Sequence, residues 1–123
     1  MTSPFDSIRA IDYTVIFTRD LPAMRAFYEG VMRFRHVRDL SPNWVEFAVG
    51  AQTLALCDRG EGGAAPSLQL AFRVAPGEVA ACAEALVAQG VSIDRPVTDQ
   101  PFGHRTLFFR DPDGNVIEIY AEI

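Results

Sequence analysis

Cysteine is scarce in this chain of 123 residues: only Cys57 and Cys82 occur, far apart and in no CxxC spacing. That excludes a disulfide-stapled scaffold, and the pair reads as buried, reduced thiols in a strand and a helix. Histidine is as sparse, with His36 and His104 alone, and each is expected in a surface or satisfied structural role. No apolar run reaches the roughly 20 residues that span a bilayer. The start, Met1 to Arg9, carries neither a basic region nor the apolar stretch of a secretion signal, so a cytoplasmic location is expected. Positive charge is in deficit: 11 Lys and Arg against 16 Asp and Glu leave a net charge of −5. Such a balance speaks against nucleic acid or a membrane surface as partner and suits a cationic small molecule. Nucleotide and nucleophile signatures are missing too. GxxxxGK[ST], GxGxxG and GxSxG do not occur; Gly60, Gly62 and Gly63 open no helix, and Ser41 and Ser67 stand at turns with no histidine in register.

What is present describes an ordinary globular chain, 49% hydrophobic and 22% charged. Its length is that of one domain, 1–123, able to bury about two-thirds of its unfolded surface. Ile8 to Phe17 reads as a largely buried strand. Asp20 is placed to cap a helix with Pro22 in its first turn, and Met24, Phe27, Tyr28, Val31 and Met32 form that helix's apolar stripe. Strands are expected over 33–39, 43–49 and 52–58, followed by a linker over 59–66. The pattern then restarts with a strand over 67–74, a helix from Pro76 to Gln89 stopped by Gly90, and strands over 91–97, 105–110 and 115–122. Phe27, Val31, Leu86 and Val87 are expected in the core. Each half is thus strand–helix–strand–strand–strand, 8–58 and 67–123, an internal repeat implying an α+β fold with pseudo-twofold symmetry.

The last twenty residues are the most informative. Asp111-Pro-Asp-Gly-Asn115 is a turn in which Pro112 presets φ and Gly114 accepts a positive one. In the strand that follows, Val116, Glu118 and Tyr120 share one face. A carboxylate in mid-strand needs a partner, and the identity of that partner is the functional question. Aligning the halves sets Tyr13 against Gln69 and Ala55 against Glu118.

These features, above all Phe109-Arg-Asp-Pro-Asp-Gly-Asn-Val-Ile-Glu-Ile119 and Arg19-Asp-Leu…Ala26-Phe-Tyr28, resemble the vicinal oxygen chelate superfamily of glyoxalases, bleomycin-resistance proteins and extradiol dioxygenases. The resemblance spans nearly the whole chain. It implies two paired βαβββ modules forming a half-open barrel around a central cleft. In the superfamily's metalloenzymes four inward positions hold the ion; here they fall on Tyr13, Ala55, Gln69 and Glu118. Ala55 has no donor atom, Gln69 is a weak neutral ligand, and a phenol whose reference pKa is about 10 is a poor one. No metal and no cofactor are therefore expected. The metal-free, bleomycin-binding branch fits better, and Gln100-Pro-Phe-Gly103 is similar to its loop before the same turn.

If Glu118 points inward, strand parity places Tyr13, Val15, Phe17, Ala55, Cys57, Gln69, Ala71, Arg73, Val116 and Tyr120 on the same side. With Trp44 and Phe102 these give the ligand-binding candidates Tyr13, Phe17, Trp44, Ala55, Cys57, Gln69, Arg73, Phe102, Glu118 and Tyr120, a mixture of aromatic, small and polar groups suited to a small-molecule cleft. Trp44 reads as either a stacking platform or core, and Glu46 as solvated at a sheet edge. Tyr13, Gln69 and Glu118 are expected to form a hydrogen-bonded polar floor. Three readings remain. The first is a metal-free binding protein that sequesters a cationic or aromatic, antibiotic-like ligand. The second is a superfamily enzyme of lyase, isomerase or dioxygenase type with an altered or absent metal site, in which Glu118 would act as acid and base. The third is a structural or regulatory module with a closed cleft. A homodimer covering the sheet edges is expected.

Overall fold

Strand parity decides how this chain divides its surface. In the computed structural model, which describes residues 3–8, 10–58 and 68–123, the final strand β8 (Val116–Glu122) buries Ile117, Ile119 and Ala121 while Val116, Glu118 and Tyr120 stay partly open. The same alternation runs through β1 (Tyr13–Thr18), β3 (Trp44–Val49) and β4 (Gln52–Asp58). Ile16, Val45, Phe47, Leu54 and Leu56 all turn to the core side. With β2 (Arg35–Ser41) these strands form one four-stranded sheet, ordered β1-β4-β3-β2. The second sheet repeats it as β5-β8-β7-β6, built from β5 (Gln69–Arg73), β6 (Ile93–Asp99), β7 (His104–Arg110) and β8. In each sheet the first strand pairs parallel with the last, and the other pairings are antiparallel. The sheets are not hydrogen-bonded into a closed barrel.

The expected repeat is thus present as an α+β architecture, with trimmed boundaries. Ile8 and residues 10–12 are not strand: Pro4–Ser7 is a 3₁₀ turn held by a reciprocal Ser3–Asp6 capping box, and Ile8 and Ile11 are exposed. Nor is β1 largely buried, since Tyr13 and Phe17 on its open face are 54% and 46% exposed. The expected linker, 59–66, lies outside the described residues.

Asp20 caps helix α1 (Leu21–Arg25) as the sequence suggests, its carboxylate accepting from the Ala23 amide at 3.1 Å. The chain then widens into a π-helical turn, Ala26–Val31. That extra residue per turn aims Phe27 and Tyr28 together at the second half of the molecule. Phe27 packs against Phe109 with ring centroids 6.3 Å apart, and Phe34 packs against Phe72 at 5.3 Å. The Tyr28 hydroxyl donates to Asp111 Oδ2 at 2.6 Å, 83 residues away. Asp111 itself folds the predicted turn, accepting from the amides of Asp113 and Asn115 and from the Asn115 side chain. Gly114 supplies the positive φ, 88°, that the turn requires. One core therefore joins the inner faces of both sheets to α1, its π turn and α2 (Glu78–Ala88). One residue of the expected helix stripes lies outside the core. Val87 is 62% exposed, because the face of α2 that meets the sheet is set by Val79 and Leu86.

Candidate functional site

The open faces of the two sheets carry the candidate residues, and each sheet assembles a different group of them. On the second sheet the register places Ala71 and Phe108 either side of Glu118. Glu118 Oε1 accepts from Gln69 Nε2 at 3.2 Å. That bond joins two of the three residues expected in a polar floor, and the second carboxylate oxygen has no partner among the described residues. Tyr13 departs from expectation. It lies on the open face, as parity requires, but its hydroxyl bonds neither Gln69 nor Glu118, so the floor comprises two residues rather than three. β1 belongs to the other sheet, and no backbone pairing draws the two edges together.

Beside Glu118 stands an aromatic column that the sequence only partly disclosed. His104 stacks on Tyr120, centroids 4.9 Å apart at 27°, and Phe102 meets His104 edge-on at 5.2 Å. The hairpin that carries Phe102 is closed by Gln100 N to His104 O at 2.7 Å and by the side-chain bond of Gln100 to Thr106 at 3.0 Å. Gly103, at φ 89°, makes that reversal possible. His104, expected in a surface or structural role, stands in this column. Parity could have placed it, because His104, Thr106 and Phe108 alternate onto the face of Glu118. Arg73 also lies on this face, held by Glu122 at 3.0 Å, while Arg95 sits 5.7 Å above the Phe108 ring.

On the first sheet Ala55 is fully buried between Val15 and Glu46. Glu46 is not the solvated edge residue the sequence suggested. Its side chain is only 13% exposed and accepts from Trp44 Nε1 at 2.8 Å and from Arg38 Nε at 3.2 Å. Burial pushes its carboxyl upward, but the bonds from Trp44 and Arg38 outweigh that and hold it below the usual range. Trp44 is thus half-buried and hydrogen-bonded, with Cys57 opposite it in the register. Both cysteines are free and only part-buried, a correction to the fully buried reading. Desolvation, reinforced by Glu78, raises the Cys82 thiol. The two histidines differ: His36 is engaged by Asp39 at 2.8 Å, on β2.

The four positions implied for a metal do not fit one. Ala55 offers no donor and is covered, Tyr13 and Gln69 are neutral, and Glu118 is the sole carboxylate of the four. Among the described residues no group of three or more His, Cys, Asp or Glu gathers to hold an ion. No helix among them is long and apolar enough to cross a membrane.

Two βαβββ units thus repeat one sheet topology, with a polar pair and an aromatic column on the open face of the second. The chain belongs to the Glyoxalase/Bleomycin resistance protein/Dioxygenase superfamily, whose family model matches residues 10–119. A lactoylglutathione lyase from Agrobacterium tumefaciens is 27% identical, with a TM-score of 0.78 over 91% of this chain and 92% of that one. A virulence protein from Salmonella typhimurium is also 27% identical, at TM-score 0.78 over 94% and 98% of the two chains. A glyoxalase/dioxygenase from Nostoc punctiforme is 18% identical and shares the fold at TM-score 0.81, covering 100% of this chain and 97% of that one. Among curated proteins, none matches the chain.

Proposed function

We propose that the chain acts as a metal-free small-molecule binding protein of the glyoxalase/bleomycin-resistance type, sequestering a cationic, aromatic ligand. The observation that carries the reading is the open oxygen of Glu118 beside the Tyr120–His104–Phe102 column. A planar cation would stack on the rings and place its charge on the carboxylate, two interactions that reinforce each other once water is displaced. Tyr13, Phe17, Trp44, Ala55 and Cys57 would supply the opposing wall from the first sheet, and Gln69 and Arg73 the polar margin. Exposed Tyr13, Phe17 and Phe102 favour an open cleft over a closed, purely structural one. The two units work in this reading as one domain. A second copy would cover those rings and complete the cleft as a homodimer. The free thiols suit the cytoplasm.

The test is a thermal-shift panel of bleomycin-type, aminoglycoside and planar aromatic cations, run beside metal analysis of protein purified without a histidine tag. A ligand at 100 to 1,000 times its dissociation constant stabilises by about 3–4 kcal/mol. Stabilisation by cations only, with substoichiometric metal, is the expected result. Stoichiometric transition metal bound through Glu118 would refute it.

A second reading is favoured by one observation, the Gln69–Glu118 pair. A carboxylate oriented by an amide and flanked by rings is equipped to move a proton, and the relative from Agrobacterium is a lyase. In that case Glu118 would be the acid–base residue of an enzyme of lyase, isomerase or dioxygenase type. Turnover of a candidate substrate, lost in Glu118→Gln, would separate catalysis from sequestration.

A further inference from the structure

We propose a second binding site on the helical side of the molecule, a groove for an amphipathic organic anion with a short apolar body and one carboxylate. The groove has a volume of about 390 Å³ and lies where α2 and the end of the π-helical turn meet the second sheet. Its base is Phe109 and Ile119, which alternate with Phe108 and Glu118 and so point away from the open face. Val31, Met32 and Leu86 add apolar walls, and Cys82 and Ala85 line its α2 side. This space is distinct from the cleft, sharing strands with it but no side chain.

Arg33 supplies the charge complement. It lines the groove, is exposed, and among the described residues no ion pair or hydrogen bond engages its side chain. The contrast is with Arg25, Arg38, Arg73, Arg105 and Arg110, which are all held by carboxylates. Arg33 is also the one non-glycine residue with positive φ, 56°, among the described residues. Glycine or asparagine would occupy that left-handed position at lower cost, so arginine there retains a strained backbone together with an uncommitted charge. An apolar trough ending in an unpaired guanidinium matches a ligand that buries a hydrocarbon body and presents a carboxylate to a planar fork of donors. A simple cation or a sugar matches neither half.

Sodium octanoate, 1-octanol and octyltrimethylammonium, three probes with the same chain and different heads, test the assignment. Binding is read by calorimetry and by amide shifts in two-dimensional NMR of the intact protein. Octanoate is expected to bind about tenfold more tightly than octanol, the factor one charge-assisted hydrogen bond supplies, with shifts centred on Cys82, Ala85 and Gln89. Arg33→Gly suits the backbone better and should abolish the preference for octanoate while leaving octanol binding intact. Arg33→Lys should retain part of the preference. Ala85→Trp and Ala88→Trp, at exposed helix positions that line the groove, should block both probes without unfolding the chain. Equal binding of octanoate and octanol to the native chain would overturn the proposal. So would an unchanged preference in Arg33→Gly, unchanged binding in both tryptophan variants, or no binding at millimolar probe.

Discussion

Tyr28→Phe removes one oxygen from the buried joint between the two halves, and its cost follows from the local geometry. Tyr28 is fully buried and donates at 2.6 Å to Asp111, itself 4% exposed. A hydrogen bond to a charged acceptor contributes about 1.5–3 kcal/mol. The lower half of that range applies, because Asp111 Oδ2 keeps its bond from the Asn115 side chain and is not orphaned. A loss of about 1.5–2 kcal/mol is expected, a fall of roughly 4–8 °C in Tm for a chain of this size. The pH dependence is the sharper signature. Burial, with Asp111 next in weight, raises the Tyr28 phenol well above its ordinary value. Below about pH 10 both folded and unfolded chains keep the proton, so the contribution is fully present. Above it the unfolded chain ionises first, and wild-type stability falls by up to ~1.4 kcal/mol per pH unit relative to the variant. Denaturant melts of both proteins from pH 7 to 11.5 should show the gap narrowing above pH 10. The Cys82 thiol is raised in both and cancels. A loss under 0.5 kcal/mol at pH 7, or a gap constant to pH 11.5, would refute the role given to this bond.

Three further outcomes are expected. Glu118→Gln should weaken a cationic ligand by at least tenfold with stability within about 0.5 kcal/mol of wild type, since the site is part-open and Gln69 can still bond the amide; calorimetry and melts on one preparation check both. Glu46 has a depressed folded value, so its contribution is present above the unfolded pKa near 4.3 and is lost as pH falls through the folded one. Glu46→Gln should therefore flatten the acid limb of the stability curve, and an unchanged limb would contradict the Trp44 and Arg38 bonds. Gly103→Ala forces a side chain into φ 89° and should cost about 1 kcal/mol or more, lowering affinity for aromatic ligands by loosening Phe102 over His104; equal affinity would remove Phe102 from the platform.

Local signals carried most of the fold. The Asp20 cap, the Asp111–Asn115 turn and period-two alternation are written within a few residues of where they act, and all three appear where expected. The Ser3–Asp6 capping box is equally local, but the apolar, β-branched composition after it points to a strand from Ile8 that starts only at Tyr13. Contacts between the halves were not legible. Nothing near Tyr28 announces Asp111, and the π turn that aims it there leaves no mark in a helical periodicity. Tyr13 shows the same limit from the other side: parity gave its face, but reach to Glu118 depends on how two separate sheets are set, which no pattern within one strand encodes.

Glu46 and Glu118 show together how the two halves differ at the positions implied for a metal. The halves match strand for strand, so Ala55 corresponds to Glu118 and Glu46 to Phe108. Each sheet thus holds one carboxylate in this row, but on non-equivalent strands, and each sets it beside the apolar residue that stands where the other sheet has its carboxylate. The consequence is electrostatic as well as geometric. Glu46 is engaged by Arg38 and Trp44 within its own sheet, whereas among the described residues Glu118 is hydrogen-bonded by the neutral amide of Gln69 alone. The carboxylate oxygen of Glu118 left without a partner among the described residues, beside the rings, is the feature on which the proposed reading, a cation from outside the fold, rests. An ion coordinated evenly by both halves through these two carboxylates would need them at matching positions, and here they lie on non-equivalent strands, β3 and β8.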